Sequence, residues 1–300
     1  MTPKITDPEV LAFIERVDRL TPPGSAARSI ADQRALYNAM SDAFRADRPD
    51  GLRVRDRTIS GVPCRSYGGE QPVRAIFLHG GGFVVGGLES HDDVAAELSH
   101  ATGLPVDAVD YRLAPENPHP AAYEDALTVV EAASRPVILI GDSAGGTLAA
   151  SVAWKLRGTG KVAGQVLIYP ALGGLSLGLP SYTECAEAPL LTTDDIHAYG
   201  ALRGRSGGET PDPTYHVLAA EDLSRVAPTF ISAAGVDPLR DDGVVFAQRL
   251  RDAGVEGACE IEEQLPHMWL RARHQSRRAG AAFDRVIRWT RRLAAKSTVR

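Results

Sequence analysis

Six short apolar runs recur along the chain at nearly even intervals, at residues 75–78, 106–109, 137–140, 166–169, 229–233 and 258–261. Runs of this length, rich in β-branched residues and bounded by turn residues, mark strands buried on both faces. Between their centres (Phe77, Ala108, Ile138, Leu167, Ile231 and Glu260) the steps are 31, 30, 29, 64 and 29 residues. A step near 30 holds one strand and one crossover helix. Helical patterns do fill the gaps, at roughly 91–101, 121–133, 145–157 and 241–253, and a long last helix is expected over about 275–295. Strands alternating with helices specify βαβ units and a mostly parallel sheet, an α/β fold. Residues 52–59 and 62–67 read as a polar hairpin at one sheet edge.

The step of 64 is too long for one crossover. Its surplus of about 34 residues, near 173–213, carries Gly-rich turns and a weak helical pattern at 193–202. Long insertions in compact domains commonly serve as lids. The first 48 residues add helices near 8–20 and 29–46 before the sheet begins. The expected organisation is one catalytic domain, residues 49–172 and 214–300, under a cap built from residues 1–48 and 173–213.

The pattern G-x-S-x-G occurs around Ser143, Ser176 and Ser206. With 29 glycines in the chain the string decides nothing by itself. A nucleophile at this motif needs a sharp strand-to-helix turn that lifts its hydroxyl above the sheet edge. Only Ser143 follows a strand and precedes a helical pattern; Ser176 runs into Pro180, and no strand precedes Ser206. A serine also needs an imidazole to take its proton, and the imidazole needs an orienting carboxylate. Asp237 and His267 each lie just past a later strand, where open α/β sheets place their ligands. Asp241 and Asp242 read as charges at a helix start, and His274 as a surface residue. The loop His79-Gly80-Gly81-Gly82-Phe83 follows the first buried strand. Its glycines let main-chain N–H groups approach a developing oxyanion, so Gly81, Gly82 and Ala144 are the expected donors. His79 reads as a loop anchor.

These segments resemble a known family. His79-Gly-Gly-Gly-Phe83, Tyr111-Arg-Leu-Ala-Pro-Glu116, Gly141-Asp-Ser-Ala-Gly-Gly146 and Asp237-Pro-Leu-Arg-Asp241, with His267, are similar to the hormone-sensitive-lipase-like α/β-hydrolase carboxylesterases. The resemblance runs over about residues 70–295 and implies an eight-stranded sheet, a helical cap and cofactor-free ester hydrolysis. It places Glu116 near the catalytic residues and groups His79, Phe83 and Asp142 around the pocket. The chain departs from the family pattern at Met268-Trp269, where Gly-Phe is usual, and in a cap helix interrupted by Gly200. Met268 and Trp269 are each open to a pocket or a core role.

The expected activity is hydrolysis of short- to medium-chain acyl esters through an acyl-enzyme on Ser143. An amide, lactone or thioester hydrolase uses the same machinery, and a non-catalytic receptor on the same fold is the alternative from another class. The base must be neutral, so activity is expected to fall on acidification. No HExxH or CxxC spacing calls for a metal. A net charge of −5 offers no basic field for nucleic acid. Cys64, Cys185 and Cys259, odd in number and far apart, suit a reducing compartment. With no signal-like or membrane-spanning segment, a cytoplasmic protein is expected, with a homodimer possible. The arginines of the last 30 residues read as the solvated face of the final helix.

Overall fold

The structure, a computed structural model, describes residues 4–22, 24–204 and 211–298. Its single sheet contains β1 (Val54–Ile59), β2 (Val62–Tyr67), β3 (Arg74–Leu78), β4 (Val106–Val109), β5 (Val137–Asp142), β6 (Val162–Ile168), β7 (Thr229–Val236) and β8 (Gly257–Pro266). Their spatial order is β1-β2-β4-β3-β5-β6-β7-β8. β1 and β2 pair antiparallel, β2 joins β4 antiparallel, and the other five pairings are parallel. The expected α/β fold and edge hairpin are therefore present.

The helices are α1 (Pro8–Leu20), α2 (Ile30–Phe44), α3 (Asp92–Thr102), α4 (Ala121–Glu131), α5 (Ala144–Lys155), α6 (Pro180–Glu184), α7 (Thr193–Arg203), α8 (Arg240–Asp252) and α9 (Arg277–Thr298). They cover both faces of the sheet, so alternate residues of one strand enter different cores. Ile138 and Ile140 belong to the core that also holds Phe13 of α1, Leu98 of α3 and Phe283 of α9. Leu139, between them, belongs to the opposite core, with Val129 of α4, Leu148 of α5 and Phe246 of α8. This double burial is why the strands read as unbroken apolar runs. Asp7 caps α1 by accepting from the Glu9 and Val10 N–H groups at 3.0 and 3.3 Å, and Pro8 supplies the preset φ of a first turn.

Several strands run longer than their apolar centres suggest, β6 and β8 most of all. β6 begins at Val162, and β8 continues through Glu262, Glu263 and Gln264 to Pro266. The apolar run of β8 marks only its first half, because Glu262, Glu263 and Gln264 follow; Glu262 is nonetheless buried and ion-paired to Arg285 of α9. The final arginines also differ from expectation. Arg271 and Arg273 precede α9 and are each 5% exposed. Arg273 is ion-paired to Asp93 and, at 2.8 Å, to Glu97 on α3. Arg271 donates to the Ser90 carbonyl and approaches His91 Nε2 at 3.2 Å. They tie the segment after β8 to α3 and the turn before it, rather than forming a solvated face. His274 lies before α9 and is half-exposed, paired with Glu97.

Candidate active site

β5 ends in Asp142, and the chain turns through Ser143 into α5. Ser143 has φ +52 and ψ −119, a conformation few side-chain-bearing residues adopt. Two bonds hold the turn: Ser143 N–H donates to the Ile168 carbonyl at 2.9 Å, and its own carbonyl accepts from Thr147 N–H at 3.1 Å. The room comes from glycine, because a Cβ at Gly145 would stand 1.9 Å from the Leu78 carbonyl oxygen. The hydroxyl donates to His267 Nε2 at 2.9 Å, and His267 Nδ1–H donates to Asp237 Oδ2 at 2.7 Å. Asp237 is fully buried and also accepts from Leu239 N–H at 2.8 Å. β5, β7 and β8 thus deliver the three residues to one edge, each at or just beyond a strand's carboxyl end.

Ser143 and His267 open on a cavity of about 470 Å³ that Gly81, Gly82, Phe83, Asp142, Ala144 and Met268 also line. Both segments expected to cover the site reach it, through Tyr37 of α2 and through Ile196, His197 and Tyr199 of α7. Gly82 has φ +59, and a Cβ there would meet the Tyr199 ring at 2.4 Å. Gly82→Ala is therefore expected to displace the loop or the helix facing it and to lower kcat/KM about 10²- to 10³-fold, the range for losing one oxyanion donor. Initial rates on a short p-nitrophenyl ester measure this; a loss below threefold would remove Gly82 from the donor set.

The chain matches the α/β hydrolase fold family over residues 75–271. It is 37% identical over 243 residues to carboxylesterase NlhH of Mycobacterium tuberculosis, covering 72% of this chain and 75% of that protein. It is 32% identical over 268 residues to an ethyl acetate hydrolase of Pseudomonas putida, covering 82% of each. An esterase of the bacterial hormone-sensitive lipase family superposes with a TM-score of 0.86 at 26% identity, over 97% of this chain and 99% of that one. The chain belongs to the hormone-sensitive-lipase-like carboxylesterases of the α/β hydrolase family.

Beneath the nucleophile this hydrolase carries a buried polar layer. Asp142 accepts from Gly80 N–H at 2.8 Å, which ties the glycine loop to the elbow. His91 Nε2 and the Tyr169 hydroxyl both stand 3.4 Å from its other oxygen. Burial opposes ionisation of Asp142, yet the His91 ring and then the Arg271 charge hold its carboxyl below the usual range. His79 stacks on Tyr111 with centroids 4.2 Å apart, and burial lowers its pKa to about 3, so it stays neutral. That is the behaviour of an anchor rather than a base.

Other expected residues are distributed differently. Met268, at φ +62, lines the cavity, whereas Trp269 is fully buried. The Trp269 ring packs edge-on against Tyr169, whose ring lies 4.7 Å from that of His267. Glu116 is not among the residues that line the cavity. It is half-exposed and pairs with Arg34 of α2 at 2.6 Å, while that guanidinium also donates to the Val84 and Ala114 carbonyls. Glu116 therefore fastens α2 to the back of the glycine loop. Ser176 lines the cavity from a one-turn helix, Leu175–Leu177, with no strand before it. Ser206 lies outside the described residues.

Asp241 and Asp242 stand in the first turn of α8, as expected, and Asp242 has a second role. It is fully buried, and Oδ2 accepts from the Leu172 and Gly173 N–H groups at 2.8 Å each, while Oδ1 accepts from the Tyr182 hydroxyl. Asp241 accepts from Ser181 N–H at 2.9 Å. The two acids fasten the segment after β6 onto α8. Sequence reasoning missed Tyr37, Tyr169, Tyr199 and Tyr215, which line the cavity. Tyr37 and Tyr199 sit within the helices expected to form the cap, but nothing in a single sequence tells which side of such a helix faces inward.

Proposed function

We propose that this carboxylesterase hydrolyses short- to medium-chain acyl esters in two steps through an acyl-enzyme on Ser143. The observation that carries the reading is the continuous hydrogen-bonded series from Ser143 Oγ through His267 to buried Asp237, at the wall of a cavity. His267 Nε2 takes the Ser143 proton as Oγ attacks the ester carbonyl, and Asp237 holds the ring in the tautomer that leaves Nε2 free to accept. The N–H groups of Gly81, Gly82 and Ala144 face the oxygen that becomes negative. Collapse expels the alcohol, which takes its proton from His267. Water then repeats the sequence on the acyl-enzyme and releases the acid. No step requires a metal or an organic cofactor.

The acyl range is supported by the cavity, whose volume of about 470 Å³ suits a small ligand and which α2 and α7 help to line. The name of the Pseudomonas relative, an ethyl acetate hydrolase, points the same way. Diethyl p-nitrophenyl phosphate tests the nucleophile. It is expected to leave one diethylphosphoryl group per chain, on the peptide containing Ser143, and to abolish turnover of p-nitrophenyl acetate and butyrate. A label on another residue, or turnover surviving full labelling, sinks the acyl-enzyme. Rates that climb toward palmitate would overturn the acyl range alone.

A further inference from the structure

One wall of the cavity carries a charge that acyl transfer does not use. Arg203 closes α7 and is 4% exposed. Its guanidinium carbon lies 3.7 Å from the centre of the Phe83 ring and 3.8 Å from that of Tyr215. Its Nη2 is buried and has no hydrogen-bond partner among the described residues. His216 lines the same cavity, and its buried Nδ1 also lacks a partner among those residues. The neighbouring carboxylate, Asp212, is already engaged by Thr214 N–H at 2.8 Å, the Thr214 hydroxyl at 2.6 Å and His119 Nε2 at 3.3 Å.

Burying an unpaired cation is strongly unfavourable, and two aromatic faces return only part of the lost hydration. Burial draws the Arg203 guanidinium down to about 10, so it remains charged at neutral pH. Burial takes His216 down to about 3, leaving a neutral ring with hydrogen-bonding capacity and no second charge. Phe83 directly follows Gly82, so the charge stands one ring beyond the glycine loop.

We propose that Arg203, with His216 beside it, is a carboxylate-binding subsite, and that the preferred substrates are esters that also carry a free carboxylate. One guanidinium and one neutral imidazole suit a single negative charge better than a phosphate dianion, and the planar fork matches a carboxylate. The carboxylate takes no part in bond making; it sets which esters are held with their carbonyl at Ser143. The proposal rests on the reading of Ser143 as nucleophile.

Two matched pairs of esters test it and locate the charge. Mono-p-nitrophenyl succinate against p-nitrophenyl butyrate places the carboxylate on the acyl side. The 4-acetoxybenzoate anion against its methyl ester places it on the alcohol side. In one pair, wild-type kcat/KM for the charged ester is expected to exceed that for the neutral one about tenfold. Arg203→Met should lower that ratio 10- to 100-fold, the range for losing a charge-assisted hydrogen bond, and Arg203→Lys should fall between. The wild-type ratios need no variant to fold. Neutral esters favoured in both pairs, or a ratio unchanged in Arg203→Met, overturns the subsite and leaves the acyl-enzyme standing. If the wild type turns over none of the four, the nucleophile reading fails instead.

Discussion

Ser143→Ala is expected to lower kcat for p-nitrophenyl butyrate about 10⁵- to 10⁶-fold, while thermal unfolding stays close to that of the wild type. The loss is large because His267 Nε2, now 2.9 Å from an oxygen, would have none to deprotonate. The effect on folding is small because the hydroxyl contributes one hydrogen bond at a cavity surface, whereas the elbow is held by backbone bonds to Ile168 and Thr147. Residues that act as a unit are not additive, so Ser143→Ala combined with His267→Ala should be no slower than either alone. What remains is the catalysis that the glycine loop and binding supply unaided. Turnover within tenfold of wild type would mean that another group attacks the ester.

The second large effect falls on folding. Asp242→Ala strips the acceptor from two main-chain N–H groups and one tyrosine hydroxyl, all inside the protein. Each buried donor left unpaired costs about 1–3 kcal/mol, so a loss of about 3–5 kcal/mol in urea unfolding is expected. A loss below about 1 kcal/mol would mean that water replaces the carboxylate. Asp242→Asn keeps an acceptor for Leu172 and Gly173 and should lose less. Burial raises the Asp242 pKa to about 6, against about 3.9 in an unfolded chain. The folded protein therefore binds this proton more tightly. Asp242's contribution is fully present below about pH 4 and declines as pH rises through about 6. The advantage of wild type over Asp242→Asn should accordingly narrow between pH 4 and 7.

The contrast between Ser143 and Asp242 explains what could be read in the sequence. Ser143, Asp237 and His267 are marked locally, each by a strand ending just before it. Their order along the chain, with a glycine-rich turn at the first, leaves little room for another arrangement. Asp242 follows an equally local rule, the acid at a helix start, which holds but says nothing of its burial or its distant partners. Its partners lie 69 and 70 residues away and become visible only when the segment after β6 folds back over α8. Arg271 and Arg273 are hidden in the same way, since their carbonyl and carboxylate partners sit about 180 residues earlier. Arg203 gives no signal at all. A charged residue ending a polar helix is ordinary, and its burial depends on Phe83 and Tyr215, two residues with no sequence relation to it.

α7 has a further consequence. Among its described residues, Arg203 alone is buried. Ile196, His197, Tyr199 and Gly200 border the cavity while the helix contributes almost nothing to either core. Substitutions along it can therefore change which ester fits without weakening the sheet that aligns Ser143, Asp237 and His267. Variation along α7 would then alter the cavity wall while the packing of the sheet stays fixed.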